Sequence, residues 1–201
     1  MSWIRIVPYE AAEGRLKKLY DRIKGPDGRV DNIMLVHGLR PHSLEGHMTL
    51  YKYVLHHSAN TVPKWLLETI GVYVSSLNRC GYCVEHHFAG LTRLLGDDGR
   101  AATIRKALEA DAPEDAFSGR ELAALRCARA LTLAPGEIGE DMIAALRDAG
   151  YDDGEILEIN QVTAYFAYAN RTVLGLGVTT EGDTLGLSPN ASENPDDWSH
   201  N

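Results

Sequence analysis

Sulfur is scarce in this chain: 201 residues contain three cysteines and four methionines. An odd, small cysteine count makes a poor disulfide framework for a secreted protein of this size, so cross-linking is not expected to hold the fold. Basic charge is also short. Lys and Arg number 20 against 28 Asp and Glu, giving a net charge of −8 and a pI near 5.4. Phosphate backbones require a basic footprint, so a nucleic-acid partner is not expected. No apolar run approaches the length of a membrane span, and the opening MSWIRIVPYE lacks the long apolar stretch of a secretory signal. The expected setting is cytoplasmic and reducing, with no membrane partner. Alternation of apolar and polar residues is missing too, which argues against a sheet.

What remains reads as helix. A length of 201 residues, 44% hydrophobic and 24% charged, suits one globular domain with its own core. Tyr9, Ala12, Leu16, Leu19 and Ile23 form one stripe over 9–24, broken at Gly25, Pro26, Asp27 and Gly28. Pro41 opens a helix toward His57, with Leu44, Met48, Tyr51 and Leu55 on one face. Pro63 starts the next, from Lys64 to about Leu77. Asn78 is a candidate N-cap for a helix from Arg79 to Leu95, closed by Gly96. Ser118 and Glu121 have capping-box spacing before ELAALRCARALTL. Gly139 to Ala149 is amphipathic and stops at Gly150. Asp152 and Glu155 cap the last helix, from Gly154 to about Gly175. The helical domain is assigned to 1–176 and a polar tail to 177–201, either disordered or laid across a neighbouring subunit.

Two of the three cysteines stand together in Asn78-Arg79-Cys80-Gly81-Tyr82-Cys83-Val84-Glu85-His86-His87. In a reducing setting a C-x-x-C pair is more often catalytic or metal-binding than structural. On a helix Cys80 and Cys83 share nearly one face, His87 lies beside Cys83 at i+4, and His86 flanks it at i+3. Glu68, on the preceding helix, reaches the same region if the two helices fold back at Asn78. Thiolates are favoured at helix N-termini, and a thiolate that attacks a peroxide becomes a sulfenic acid which a second thiol captures as a disulfide. Glu68 and His87 form a base–acid pair for that cycle. Spacing leaves the attacking sulfur open. Nearness to the helix start and expected exposure favour Cys80; the adjacent imidazole favours Cys83.

The pattern E-x11-C-x2-C-x3-H, here Glu68, Cys80, Cys83 and His87, resembles the AhpD-like alkylhydroperoxidases of the carboxymuconolactone decarboxylase superfamily, and more closely their peroxidase-related branch. The likeness extends to Asn32-Ile33-Met34-Leu35, GRELAALRCARALTLAP, MIAALRDAGYDDGEILEI and Tyr165-Phe166-Ala167-Tyr168-Ala169-Asn170-Arg171 ahead of Gly175-Leu176-Gly177-Val178. The resemblance implies an all-α fold assembling as a dimer, trimer or hexamer. It implies a thiol-dependent peroxidase without cofactor or metal, acting on an organic hydroperoxide and reset by an external dithiol, protein or lipoyl-like. Within it Cys83 attacks, Cys80 donates a proton and resolves, and Glu68 and His87 relay. One departure stands out: better-known members carry histidine immediately before the second cysteine, where this chain has Tyr82.

Two other readings keep the same residues. A lactone decarboxylase-like lyase of the same superfamily needs no cysteine pair. A non-enzymatic oligomer would use C-x2-C-x3-H, with Glu68 or His86, to hold zinc or sense redox state. Haem attachment would need C-x-x-C-H, and Val84 excludes it. Among the remaining candidates, Cys127 lies among alanines and leucines and reads as buried. His56 and His57 are expected to cap a helix end, and His37, His42 and His47 to lie at the surface or an interface. Tyr165, Phe166 and Tyr168 are expected to pack the core or to wall a pocket, and Asn170 and Arg171 to tie the last helix to the core or another subunit.

Overall fold

In the computed structural model, residues 2–194 and 196–200 are described, and among them nine α-helices and no strand occur. They are α1 (Gly14–Ile23), α2 (Asn32–His37), α3 (Pro41–Tyr51), α4 (Lys64–Leu77), α5 (Gly81–Leu95), α6 (Asp98–Glu109), α7 (Gly119–Leu133), α8 (Glu140–Asp148) and α9 (Asp153–Leu176). Helix α4 is the axis: every residue from Leu66 to Ser75 is buried, and α5, α6, α7 and α9 all pack on it. A helix apolar on all sides has to be surrounded, which is why this one sits at the centre. Gly71 lets α9 approach closely, since a Cβ there would lie 2.3 Å from the Phe166 ring.

The corner between α4 and α5 sets the thiols. Helix α4 ends in a Schellman motif: the Cys80 N–H donates to Ser75 O at 2.8 Å, and the Arg79 N–H to Ser76 O at 2.9 Å. Arg79 takes the left-handed position, φ 57°, where glycine is usual. Asn78 therefore closes α4 rather than capping α5; the N-cap of α5 is Cys80, and the helix starts at Gly81, two residues later than expected.

Other boundaries differ for identifiable reasons. The capping box of α9 forms, with Glu155 N–H on Asp152 Oδ1 at 2.8 Å and Asp152 N–H on Glu155 Oε2 at 3.1 Å. Ser118 occupies the N-cap of α7 but its side chain makes no cap bond. The helix from Pro41 does not run regularly to His57; after Tyr51 it widens into a π-helical turn, Lys52–His56. Helix α1 starts only at Gly14, after a 3-10 turn at Tyr9–Ala11.

The C-terminal segment, expected to be disordered or laid across a neighbouring subunit, packs on its own chain. The Lys52 ammonium, buried in the π turn, donates to Asn194 O at 2.6 Å and to Asp197 O. His200 Nε2 lies 3.2 Å from Ile23 O, Trp198 is buried, and Arg93 grips Gly186 O. Backbone acceptors thus replace the apolar periodicity that usually announces packing. No helix among the described residues is long and apolar enough to cross a membrane.

Candidate active site

Glu68 leaves α4 in its buried stretch and meets α5 at His87, with His87 Nδ1 2.7 Å from Glu68 Oε2. A carboxylate can only accept, so the imidazole donates Nδ1–H and keeps its lone pair on Nε2. The ring is further fixed by Phe166 of α9, edge-on at 4.6 Å between centroids. The glycine at 71, the phenyl at 166 and the imidazole at 87 therefore form one packed series across three helices.

Cys80 and Cys83 are free thiols, and both are buried. The expected exposure of Cys80 is not found: it is 0% accessible, because its backbone is folded under the α4–α5 corner. Cys83, not Cys80, lines the cavity that also receives Glu68, His86 and His87. The Cys83 thiol hydrogen-bonds Cys80 and lowers the Cys80 pKa, aided by Asn170 and by the N–H groups of Cys83 and Tyr82; burial opposes it. The same contact, with burial second, pushes Cys83 well up. The two thiols are thus joined by one hydrogen bond and titrate as a pair. Asn170 belongs to this arrangement: its amide donates to Ser75 Oγ at 3.0 Å and accepts from Asn78 at 3.0 Å, tying α9 to the corner within one chain. Arg171 donates to Ala167 O of its own helix.

The cavity measures about 50 Å³, room for a few water molecules or a similarly small reactant. Tyr51 is the hub of its aromatic wall, stacked on Tyr165 at 5.6 Å and edge-on to His56 at 4.7 Å. Trp198 and Leu187 of the C-terminal segment also line it. Tyr165 faces the cavity and Phe166 packs the core, whereas Tyr168 is exposed. A second cavity of about 230 Å³ touches Glu68 from the side of Lys64, Arg93 and Leu94. The carboxyl of the His87 pair is therefore bordered by two spaces.

Several histidines are not where expected. His37 and His47 are buried and stacked 4.5 Å apart, not at the surface; burial pushes His47 down to about 3 and lowers His37 as well. His56 does not cap its helix end. The π turn rotates it inward, where neither ring nitrogen has a partner and burial drives its pKa far down. His42 is exposed, as expected, and Cys127 is buried. His86 is buried, with Nε2 3.1 Å from Asp183 Oδ2. The residues that spacing alone did not mark are Tyr51, His47, Asp31, Asp183 and Trp198. Asp31, raised to about 6 by burial, lines the cavity beside His86. Among the described residues no group of three or more His, Cys, Asp or Glu side chains is disposed to hold a metal ion.

No family model matches the sequence. Mouse sestrin-2 (Mus musculus) is 25% identical over 171 residues, 84% of this chain. The chain spans about a third of that relative's length, 33%. Among solved structures, a peroxidase-related protein with an alkylhydroperoxidase AhpD core from Ralstonia eutropha JMP134 superposes with a TM-score of 0.79 at 22% identity, covering 90% of this chain and 93% of that one. A peroxidase-related protein from Silicibacter sp. TM1040 follows at 0.74 and 24%, covering 90% of each.

Proposed function

The chain has the all-helical AhpD-like fold, and on that footing we propose that it is a thiol-dependent peroxidase acting on organic hydroperoxides through Cys80 and Cys83. The observation that carries this reading is a free thiol, Cys83, lining one cavity with an imidazole that is bonded to a buried carboxylate at 2.7 Å. Cys83 is the attacking sulfur because it alone of the pair borders the cavity. Cys83 gives up its proton within the site and becomes the nucleophile. The Cys83 thiolate attacks the outer hydroperoxide oxygen, the O–O bond breaks, and Cys83 becomes a sulfenic acid. The departing alkoxide leaves as alcohol with a proton supplied through His87 and Glu68, and Glu68 exchanges protons through the second cavity. Cys80 then attacks the Cys83 sulfur, water leaves, and a disulfide remains. An external dithiol, protein or lipoyl-like, reduces it by thiol–disulfide exchange.

The decarboxylase-like and zinc-binding readings find less support. The former leaves the thiol pair idle, and for the latter no group of three or more His, Cys, Asp or Glu side chains among the described residues is disposed to hold a metal ion. Assembly into a homo-oligomer is part of the proposal, supported by exposed Leu50, Tyr53, Leu157 and Leu174.

Turnover of an alkyl hydroperoxide by purified variants tests the mechanism. Cys83→Ser is expected to abolish turnover, and Glu68→Gln or His87→Ala to slow it about a hundredfold or more. Undiminished activity in Cys83→Ser rejects the reading.

A further inference from the structure

Asp183 is an aspartate of the polar C-terminal segment, with no motif around it, yet its side chain is only 3% exposed. A buried carboxylate requires donors, and it has them: Tyr82 OH at 2.7 Å, His86 Nε2 at 3.1 Å, and the Asn32 backbone N–H at 3.1 and 3.2 Å. Both side-chain donors come from the first turns of α5, on either side of Cys83 in sequence.

The directions of these bonds decide the chemistry. A carboxylate accepts only, so the Tyr82 hydroxyl hydrogen points at Asp183 and away from sulfur. The Tyr82 oxygen also accepts from the Ile33 N–H at 3.2 Å, and burial raises the phenol pKa far above its usual value. Tyr82 is therefore fully committed and moves no proton near neutrality. His86 differs. Its Nε2–H is directed to Asp183, which fixes the tautomer and leaves the Nδ1 lone pair. Its ring lies against Tyr82, centroids 4.5 Å apart and planes 30° from parallel. It lines the same cavity as Cys83, one helical turn away.

We propose that Asp183 is a positioning residue that turns His86 into a second imidazole–carboxylate dyad serving the thiol pair, beside Glu68–His87. The inference rests on the peroxidase reading and extends it. The C-terminal segment is then part of the catalytic apparatus: Tyr82 is a strut for the dyad, and the proton acceptor is one turn further along at His86. When Cys83 ionises, its proton passes to His86, and the imidazolium is stabilised by the Asp183 carboxylate. Once the alkoxide has left with a proton from His87 and Glu68, the His86 proton replaces the one they supplied. The titratable groups that share the cavity with His86 are Asp31 ahead of α2, His47 and Tyr51 on α3, Glu68 on α4, Tyr82, Cys83 and His87 on α5, Tyr165 on α9 and His200 of the C-terminal segment, with Asp183 bonded to its Nε2.

Two readouts on the full-length protein test the assignment. The pH profile of thiol alkylation by iodoacetamide requires no peroxide, and single-turnover disulfide formation uses tert-butyl hydroperoxide. In Asp183→Asn the alkylation midpoint is expected to move up by about one pH unit and the single turnover to slow about tenfold, because the imidazolium has lost its counter-charge. His86→Gln is expected to give the same shift without disturbing the C-terminal segment. The double variant is expected to be no worse than either single one, since the two residues act as one unit. An unmoved alkylation midpoint in both single variants, or effects that multiply in the double variant, overturns the dyad. Wild-type protein that leaves the hydroperoxide untouched would sink the peroxidase reading, while the alkylation profile still decides the role of Asp183.

Discussion

Glu68 and His87 lie 19 positions apart and meet at 2.7 Å, and this pairing was legible in the chain because a helix break near Asn78 lets the two helices fold back on each other. The dyad on the other flank was not legible. Asp183 comes from a stretch without periodicity, and nothing in the spacing of a polar tail indicates which acid will be buried. The same holds for His56, turned inward by a π turn that no residue pattern announced, and for His47, buried within α3. Asp31 offers a test at this scale. Burial raises its carboxyl to about 6, above the unfolded value near 4. A raised folded pKa means that the native state holds the proton more tightly, so stability falls as pH rises from about 4 through 6. Asp31→Asn removes an ionisation that is costly only at the upper end. Thermal unfolding followed by circular dichroism is expected to show a larger gain in Tm for this variant at pH 7 than at pH 4; an equal gain at both would contradict the assignment.

At the scale of elements, α4 and its corner with α5 govern the site. The central place of Lys64–Leu77 could be read from its unbroken apolar character, and the capped start of α9 from Asp152 and Glu155. The start of α5 could not. Asn78 looks like an N-cap, but Arg79 accepts a left-handed conformation that shifts the cap to Cys80. Helices α2 and α6 are short or polar and carry weak stripes. Gly71 is the element-level requirement that reaches the chemistry, because it admits Phe166, and Phe166 holds the His87 ring. Gly71→Ala would force a methyl group to within 2.3 Å of that ring. The expected cost is about 1–3 kcal/mol of stability, readable as a shifted urea midpoint. A fall in peroxide turnover beyond the loss of folded protein should accompany it. A neutral effect on both would mean that α4 and α9 are not packed as described.

Seen as a whole molecule, the chain is a helical bundle closed on one side by its own C-terminal segment. Trp198 and Leu187 line the thiol cavity from that segment, and the Lys52 ammonium anchors the chain around them. The reading of 177–201 as a polar tail captured its composition and missed its docking, because the contacts are made largely by backbone carbonyls and by the carboxylates of Asp183 and Asp196, not by a periodic apolar face. A cavity of about 50 Å³ restricts what can approach Cys83 while the segment is in place. Trp198→Ala is expected to raise kcat/KM for a bulky hydroperoxide such as cumene hydroperoxide about tenfold relative to hydrogen peroxide. An unchanged ratio would place the size limit elsewhere.

The central claim is that Cys80 and Cys83 are a redox couple. Mass spectrometry of the protein before and after one equivalent of an alkyl hydroperoxide measures it directly. The account requires a loss of two hydrogens confined to a single peptide that contains both cysteines, reversed by a dithiol. Peroxide consumed with that peptide unchanged, or oxygen added without a disulfide, would contradict it.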